Sequence, residues 1–423
     1  MAKYNLVESK HWNAVYLLSS ICTIFMAMVV AIQPVFLRTV LDIPFDMAGT
    51  INANIQVVTE VCDLLLIGYL GYLSDRLGRV PVIVYGFLVA AIGALFVPFS
   101  VQLGAMLGVG GIVVYYLLRI VMSLGTGAVW PQIATVSGDF THFDNRARML
   151  AKAAFMMAFG ATLVYAVLMQ LPQYIGITGF MLLGVIVALF GAWVAKRCLI
   201  DVAEPLEDKG VPWREVTAIL RRDARVRLAF AAAFFSRSDM LFVGMFLMLW
   251  YIYFSDLVHV NHEEAVARAG IMIGLAGFVM LVAIPVWGAM IERYGRIPAL
   301  SMAMGVSALG CLMLGGVVNP FDWEILLPVV FIAFGQAGCL ISPQAMVLDL
   351  SPENIRGSML GFFNVVGGIG VVVCIQVGGI VFDAIGPYAP FVFIGVANLF
   401  IVLYSLTFIL RKNSDALLLK ELD

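Results

Sequence analysis

The chain has 423 residues, 62% of them hydrophobic and 12% charged, with a mean hydropathy of +1.00. A soluble protein of that length divides into two or three domains and carries roughly twice that share of charge, and a large soluble helical protein needs polar faces that these apolar runs lack. The formal net charge of −2 singles out no class of partner, so the placement of the charges matters more than their sum.

Apolar runs of about 20 residues recur from end to end, each long enough to cross a hydrocarbon core of about 30 Å as a helix. They predict an all-α polytopic membrane protein with twelve spans, cored at 14–37, 51–73, 81–101, 108–133, 149–170, 175–196, 228–254, 269–290, 298–318, 325–347, 359–382 and 388–410. The first run is too long for a signal-peptide core and has no small-residue cleavage site after it, which predicts a retained anchor. Six spans precede and six follow the longest polar stretch. The predicted organisation is therefore a six-helix bundle over 1–200, a cytoplasmic linker over 201–227 and a second six-helix bundle over 228–423. The basic end of the linker has the pattern of an amphipathic helix lying on the inner leaflet.

Charges inside the spans are the first functional candidates, because an ion in a bilayer is costly unless paired or solvated. Span two carries Glu60 and Asp63, three residues apart on one face, and Asn52 and Gln56 continue that face at steps of four. At the rise of an α-helix, Asp63 lies about 15 Å and Glu60 about 20 Å from the cytoplasmic end. Span four has Arg119 near its middle. Span seven has Arg237 and Asp239, which point about 200° apart on a regular helix. They face different neighbours, or "FFSRSDM" is locally broken, as binding-site helices can be. Gln33, Tyr115, Trp130, Gln336 and Gln344 are further cavity candidates, each equally readable as interhelical glue.

Other signals are weaker. "HVNHEE", His259 to Glu264, has metal-ligand residue types in a spacing that matches no defined site, and a solvated loop is expected, with no metal and no cofactor. The 6 cysteines are scattered without a CxxC pair and predict no disulfide framework, and the 22 methionines read as packing. No nucleotide-binding loop, nucleophile motif or nucleic-acid patch is present, which argues against an ATP-driven pump, an enzyme or a nucleic-acid partner.

Basic residues set the orientation. With a cytoplasmic N-terminus, all but four of the 25 Lys and Arg fall on the cytoplasmic side; Arg38 and Arg268 fall outside, and Arg119 and Arg237 lie within spans. Both termini are then cytoplasmic, in a bacterial inner membrane or its equivalent.

The chain also repeats itself. "GYLSDRLGRVP" (Gly71 to Pro81) and "GAMIERYGRIP" (Gly288 to Pro298) stand 217 positions apart, after spans two and eight. Asp139, Arg146 and Met149-Leu150 recur as Asp349, Arg356 and Met359-Leu360, 210 positions on, after spans four and ten. A duplicated six-helix unit follows, the architecture expected of transporters that rock two halves about a midplane site. In the repeated loop, Gly71 and Gly78 permit a tight reversal and Pro81 suits the first turn of the next helix. Asp75 can face a neighbouring helix N-terminus, while Arg76 and Arg79 can bond carbonyls or acids across the seam of the halves. Glu292, Arg293, Gly295 and Arg296 repeat the pattern.

"GYLSDRLGRVP" closely resembles the loop 2–3 signature of the major facilitator superfamily, and "GAMIERYGRIP" its weaker echo in loop 8–9. "RIVMSLGTG", Arg119 to Gly127, resembles that family's fourth-span signature, with Ser123 where Gly is usual. The resemblance covers the whole chain. It implies two pseudo-symmetric six-helix bundles, a central cavity surrounded by spans one, four, seven and ten, and a latch in which Asp75 meets the eleventh span. Arg119 and Arg237 become the leading substrate-site residues. Span five lacks the Gly-Pro-rich signature of the family's proton-driven antiporters, which argues against a drug exporter. The function expected is secondary transport of a small polar or anionic solute by alternating access, coupled to protons through Glu60, Asp63 and Asp239, in a monomer embedded in lipid. A transition-metal or cation transporter, a drug exporter and a receptor-like protein that moves nothing are the alternatives.

Overall fold

In a computed structural model of the chain, residues 7–140, 146–201, 213–237, 239–352 and 356–421 are described. Among them the fold is helical throughout, because hydrocarbon offers no partner for a bare N–H or C=O and a helix satisfies its own. The α-helices are α1 (Ser9–Thr39), α2 (Phe45–Leu77), α3 (Arg79–Phe96), α4 (Ser100–Leu107), α5 (Gly111–Asp139), α6 (Arg146–Ala166), α7 (Pro172–Cys198) and α8 (Trp213–Arg222). They continue with α9 (Ala224–Ser236), α10 (Asp239–Val258), α11 (His262–Tyr294), α12 (Arg296–Leu314), α13 (Leu326–Leu350), α14 (Arg356–Ala384) and α15 (Ala389–Glu421). Eleven segments among the described residues are long and apolar enough to cross a membrane. Predicted span two lies in α2, whose 33 residues carry the polar face of Asn52, Gln56, Glu60 and Asp63.

Two compact units form, one of residues 1–208 with 251–277, the other of 209–250 with 278–423. The hairpin 251–277 is held within the first unit by polar contacts. Arg38 donates from Nε and Nη2 to Asp256 Oδ2 at 3.2 and 2.8 Å, and its guanidinium stands 5.3 Å from the centre of the Tyr253 ring. Tyr253 donates to Ile43 O at 2.8 Å and Gln170 to Ala267 O at 2.9 Å. His262, expected in a solvated loop, lies 2.9 Å from Asp256 Oδ1. Helix α11 then packs on α6 through small residues: a Cβ at Gly270 would stand 2.7 Å from Tyr165 O, and one at Gly274 2.6 Å from Ala166 Cα.

In the linker, the amphipathic segment is helix α8. Its apolar side does not need a leaflet to cover it: Val216 is fully buried in the core of the second unit, with Ile219 and Leu220 packed against that core.

The duplication seen in the sequence reappears as geometry. In the first unit a Cβ on Gly125 would stand 2.5 Å from Ala90 N, so α5 rests directly on the backbone of α3. In the second, Gly335 of α13 meets Ser307 N of α12 in the same way. The partners are related by the sequence offsets of 210 and 217 found above. A further pair obeys the same rule: Gly93 meets Met122 N and Leu118 O, and Gly310 meets Ile332 N and Pro328 O.

The repeated loops share their turn and their ion pair. Gly78 has φ 95° and Gly295 φ 88°, a region other residues rarely adopt. Arg79 Nε lies 3.6 Å from Asp139 Oδ2, and Arg296 Nε donates to Asp349 Oδ2 at 2.7 Å. The two sequence repeats are thus partners of each other, each of these arginines meeting an acid of its own unit. Arg79 also donates to Ser74 Oγ at 2.6 Å. Arg76 and Arg293 instead stack on Tyr72 and Tyr294, at 4.8 and 5.3 Å. The side chain of Asp75, and with it the latch, lies outside the described residues.

The two repeated turns differ in what caps the helix that follows. Asp201 Oδ1 accepts from Arg79 N at 2.6 Å and Val80 N at 3.1 Å, so it caps the start of α3 and neutralises two orphan donors of the first turn. At the start of α12 nothing lies within 4 Å of a Cβ on Gly295, and a cavity of about 440 Å³ opens there, lined by Arg225, Tyr294, Arg296 and Asp349 among others. Asp201→Ala is expected to lower stability by about 1 kcal/mol, the usual loss of an N-cap. The thermal midpoint of the purified protein reads it; an unchanged midpoint would deny the cap.

Candidate functional site

Two polar stripes face each other in the first unit. On α5, Tyr115, Arg119, Ser123 and Gly127 recur every fourth residue and so share a face. On α2 the opposing stripe is Asn52, Gln56, Glu60 and Asp63. The stripes meet because an isolated polar group between apolar helices would go unpaired, and the pairing offsets that cost.

Arg119 is 4% exposed and forms the outer end of this seam. Its Nε donates to Gln33 Oε1 of α1 at 3.1 Å and its Nη2 to Gln56 Oε1 at 3.4 Å. Gln33 in turn donates to the side-chain and backbone oxygens of Asn52, both at 3.2 Å, and Asn52 donates to Ala48 O at 2.8 Å. Tyr115 is fully buried and stacks on Phe36 with ring centres 5.2 Å apart. Arg119 and Tyr115 also line a mostly apolar cavity of about 20 Å³ with Phe25, Met28, Ile32 and Phe180. That volume has room for about one water.

One turn below Arg119, Ser123 Oγ donates to Asp63 Oδ2 at 2.6 Å. The other oxygen, Oδ1, is buried, and no hydrogen-bond partner for it occurs among the described residues. Gly127 makes the approach possible, since a Cβ there would stand 2.7 Å from Oδ1. Glu60, one turn outward on α2, is half-buried.

The second unit holds the other predicted arginine. Helix α9 ends at Ser236 and α10 begins at Asp239, with Ser238 outside the described residues. Arg237 caps the C-terminal end of α9 with an exposed side chain and donates from Nη1 to Asn364 Oδ1 of α14 at 2.7 Å. Helix α14 comes close here because Gly367 and Gly370 carry no side chain against Arg237 and Phe234. The side chain of Asp239 lies outside the described residues. Gln336 is buried within α13, and Gln344 is exposed.

The family model of the Major Facilitator Superfamily matches residues 15–280 and 240–422. The chain belongs to this superfamily. Magnetosome protein MamH of Paramagnetospirillum magneticum is 55% identical over 409 residues, covering 97% of this chain and 95% of its own length. Magnetosome protein MamZ of the same organism is 40% identical over 398 residues, 93% of this chain but 62% of the longer relative. Among solved structures, the nucleoside transporter NupG superposes with a TM-score of 0.73 at 14% identity, covering 94% of this chain and 98% of that one. At that identity the likeness speaks for the fold alone. As a superfamily member this protein has the architecture of a membrane transporter, all-α and multi-pass.

Spacing pointed to Gln56 and Asp63, charge within a span pointed to Arg119, and Gln33 was one of several cavity candidates; Arg119 bonds Gln33 and Gln56, and Asp63 bonds Ser123 one turn below. Arg237 belongs to the second unit. Ser123, Gly127, Asn364 and Asp201 were missed as contacts. Ser123 and Gly127 were accessible, since they continue the four-residue stripe below Arg119. Asn364 and Asp201 carried no signal, because only tertiary packing brings them to their partners.

Proposed function

We propose that this protein is a secondary transporter that carries a small polar or anionic solute across a bacterial membrane by alternating access, with Asp63 taking up and releasing the coupling proton. The observation that carries this reading is the half-satisfied carboxyl of Asp63. A buried carboxylate with one hydrogen bond and one orphan oxygen is costly, and protonation relieves that cost. Glu60, one turn away, adds a second acid that discourages ionisation of both together. Arg237, exposed at the end of α9 and bonded to a neutral amide, is the residue we assign to the solute. Its fork of donors suits a carboxylate or phosphate. Arg119 already donates to two buried amides, and we give it the role of balancing charge in the seam.

The names of the two relatives support a magnetosome membrane, or the inner membrane, as the place of work. The bias of basic residues supports cytoplasmic termini, and a monomer suffices for the mechanism. In proteoliposomes, a panel of organic anions, inorganic phosphate, sugars and divalent cations screened first by thermal shift identifies the solute. Uptake of the best binder is expected to follow an imposed pH gradient. Asp63→Asn should lose that dependence while keeping counterflow between equilibrated compartments. Full gradient-driven uptake by Asp63→Asn would overturn the assignment. Stabilisation by divalent cations alone would instead favour a cation carrier bound by Glu60 and Asp63.

A further inference from the structure

We propose that Ser123 is a positioning residue that fixes which oxygen of Asp63 carries the proton and the pH at which it does so. This rests on the proton-carrying role given to Asp63 above. The two oxygens of that carboxyl are not equivalent. Oδ2 lies 2.6 Å from Ser123 Oγ, whereas Oδ1 is buried without a hydrogen-bond partner among the described residues. The backbone of α5 at Gly127 closes the space beside Oδ1, where an added Cβ would stand 2.7 Å away. A proton on Oδ1 would make an O–H with no acceptor, whereas a proton on Oδ2 meets the serine.

A hydroxyl has one donor and two acceptor lone pairs and rotates to suit. When Asp63 is ionised, Ser123 donates to Oδ2. When Asp63 is protonated, Oδ2–H donates to Ser123 Oγ, and the serine proton turns to the carbonyl of Arg119 four residues back, the usual partner of a helical serine. The only covalent change is one O–H bond at Oδ2, its proton taken from water and returned to it. Ser123 therefore satisfies both states, which an apolar residue could not do.

The charged side chains that face Asp63 are Glu60 on its own helix and Arg119 on α5. The charged residues of α1 and α3, the other helices packed on α2, are Lys10, Arg38 and Arg79, all at helix ends. No other charge at this depth on those helices substitutes for the serine.

The spectroscopic test needs no solute. In pH-difference infrared spectra of the purified full-length protein, the protonated-carboxyl band of Asp63 is identified by its loss in Asp63→Asn. A hydrogen bond to a charged acceptor is about twice as strong as a neutral one, so Ser123→Ala takes more from the ionised state than from the protonated one. The midpoint of the band is expected to move toward alkaline pH by about one unit, with a shift in band frequency as the carboxyl loses its acceptor. Ser123→Thr should restore both, and Ser123→Gly, which also lacks the hydroxyl, should repeat the alanine result. A titrating band with unchanged midpoint and frequency in Ser123→Ala and Ser123→Gly would overturn the inference. Absence of any Asp63 band across the pH range would overturn it together with the proton-carrying role. A shifted midpoint alongside uptake that ignores the pH gradient would sustain the role of Ser123 and remove proton coupling.

Discussion

Gly125→Val is expected to prevent the first unit from accumulating in folded form, and Gly335→Val to do the same to the second. A Cβ at Gly125 would meet Ala90 N at 2.5 Å and Gly86 O at 2.6 Å. Both are backbone atoms, so no rotamer change relieves the clash and α3 and α5 must separate. Overpacking of a close interface costs about 1–3 kcal/mol and sometimes more. Alanine at either position should fall in that range, and a branched side chain above it. Because whole proteins are stable by only about 5–15 kcal/mol, the valine variants lose most of their margin. Monodisperse yield in detergent and the thermal midpoint read the effect. Gly288, where an added methyl would have nothing within 4 Å, supplies the control: Gly288→Ala should leave both unchanged. Equal stability of Gly125→Ala and Gly288→Ala would refute the close-packing argument. Agreement between Gly125 and Gly335 would further show that the repeat preserves packing as well as sequence.

That repeat explains why so much of the fold was readable. Spans follow from apolar length, which depends on the bilayer as solvent rather than on specific contacts. The pairs Arg79–Asp139 and Arg296–Asp349 were visible as two matched repeats, although not as partners of each other. The seam was half legible. Polar residues at steps of four on spans two and four declare a shared face, because lipid tolerates them nowhere else. The partner of each residue was not declared. Gln33 reaches Arg119 from α1, and Asn364 reaches Arg237 from α14, across sequence distances that no local pattern encodes. The amphipathic pattern of α8 was read correctly as helix. Its apolar side nevertheless found protein instead of lipid, a choice that hydrophobicity alone does not make.

Arg119→Leu is expected to destabilise the first unit by about 2–4 kcal/mol, since it leaves two buried amide oxygens, those of Gln33 and Gln56, without a donor at about 1–3 kcal/mol each. Arg119 is 4% exposed, so water does not replace the lost bonds. Arg119→Lys keeps the charge but offers a point donor in place of a fork, and it should recover only part of the loss. The decisive comparison is with Asp63. If the guanidinium balances an acid in the same seam, then neutralising both ends should cost less than the sum of the single changes. In a double-mutant cycle of Arg119→Leu and Asp63→Asn, thermal or denaturant stability should show a coupling of about 0.5–3 kcal/mol, the range for residues in one polar network. Simple additivity would mean that Arg119 and Asp63 do not share a network and that the seam is two separate contacts. The assignment of the solute to Arg237 is tested in the same variants. Arg119→Lys should retain the ligand-induced thermal shift of the wild type, and Arg237→Lys should lose most of it, because a bidentate anion contact is not met by an ammonium. If instead Arg119→Lys loses the shift while Arg237→Lys keeps it, the solute meets the seam directly and Arg119 is its anchor.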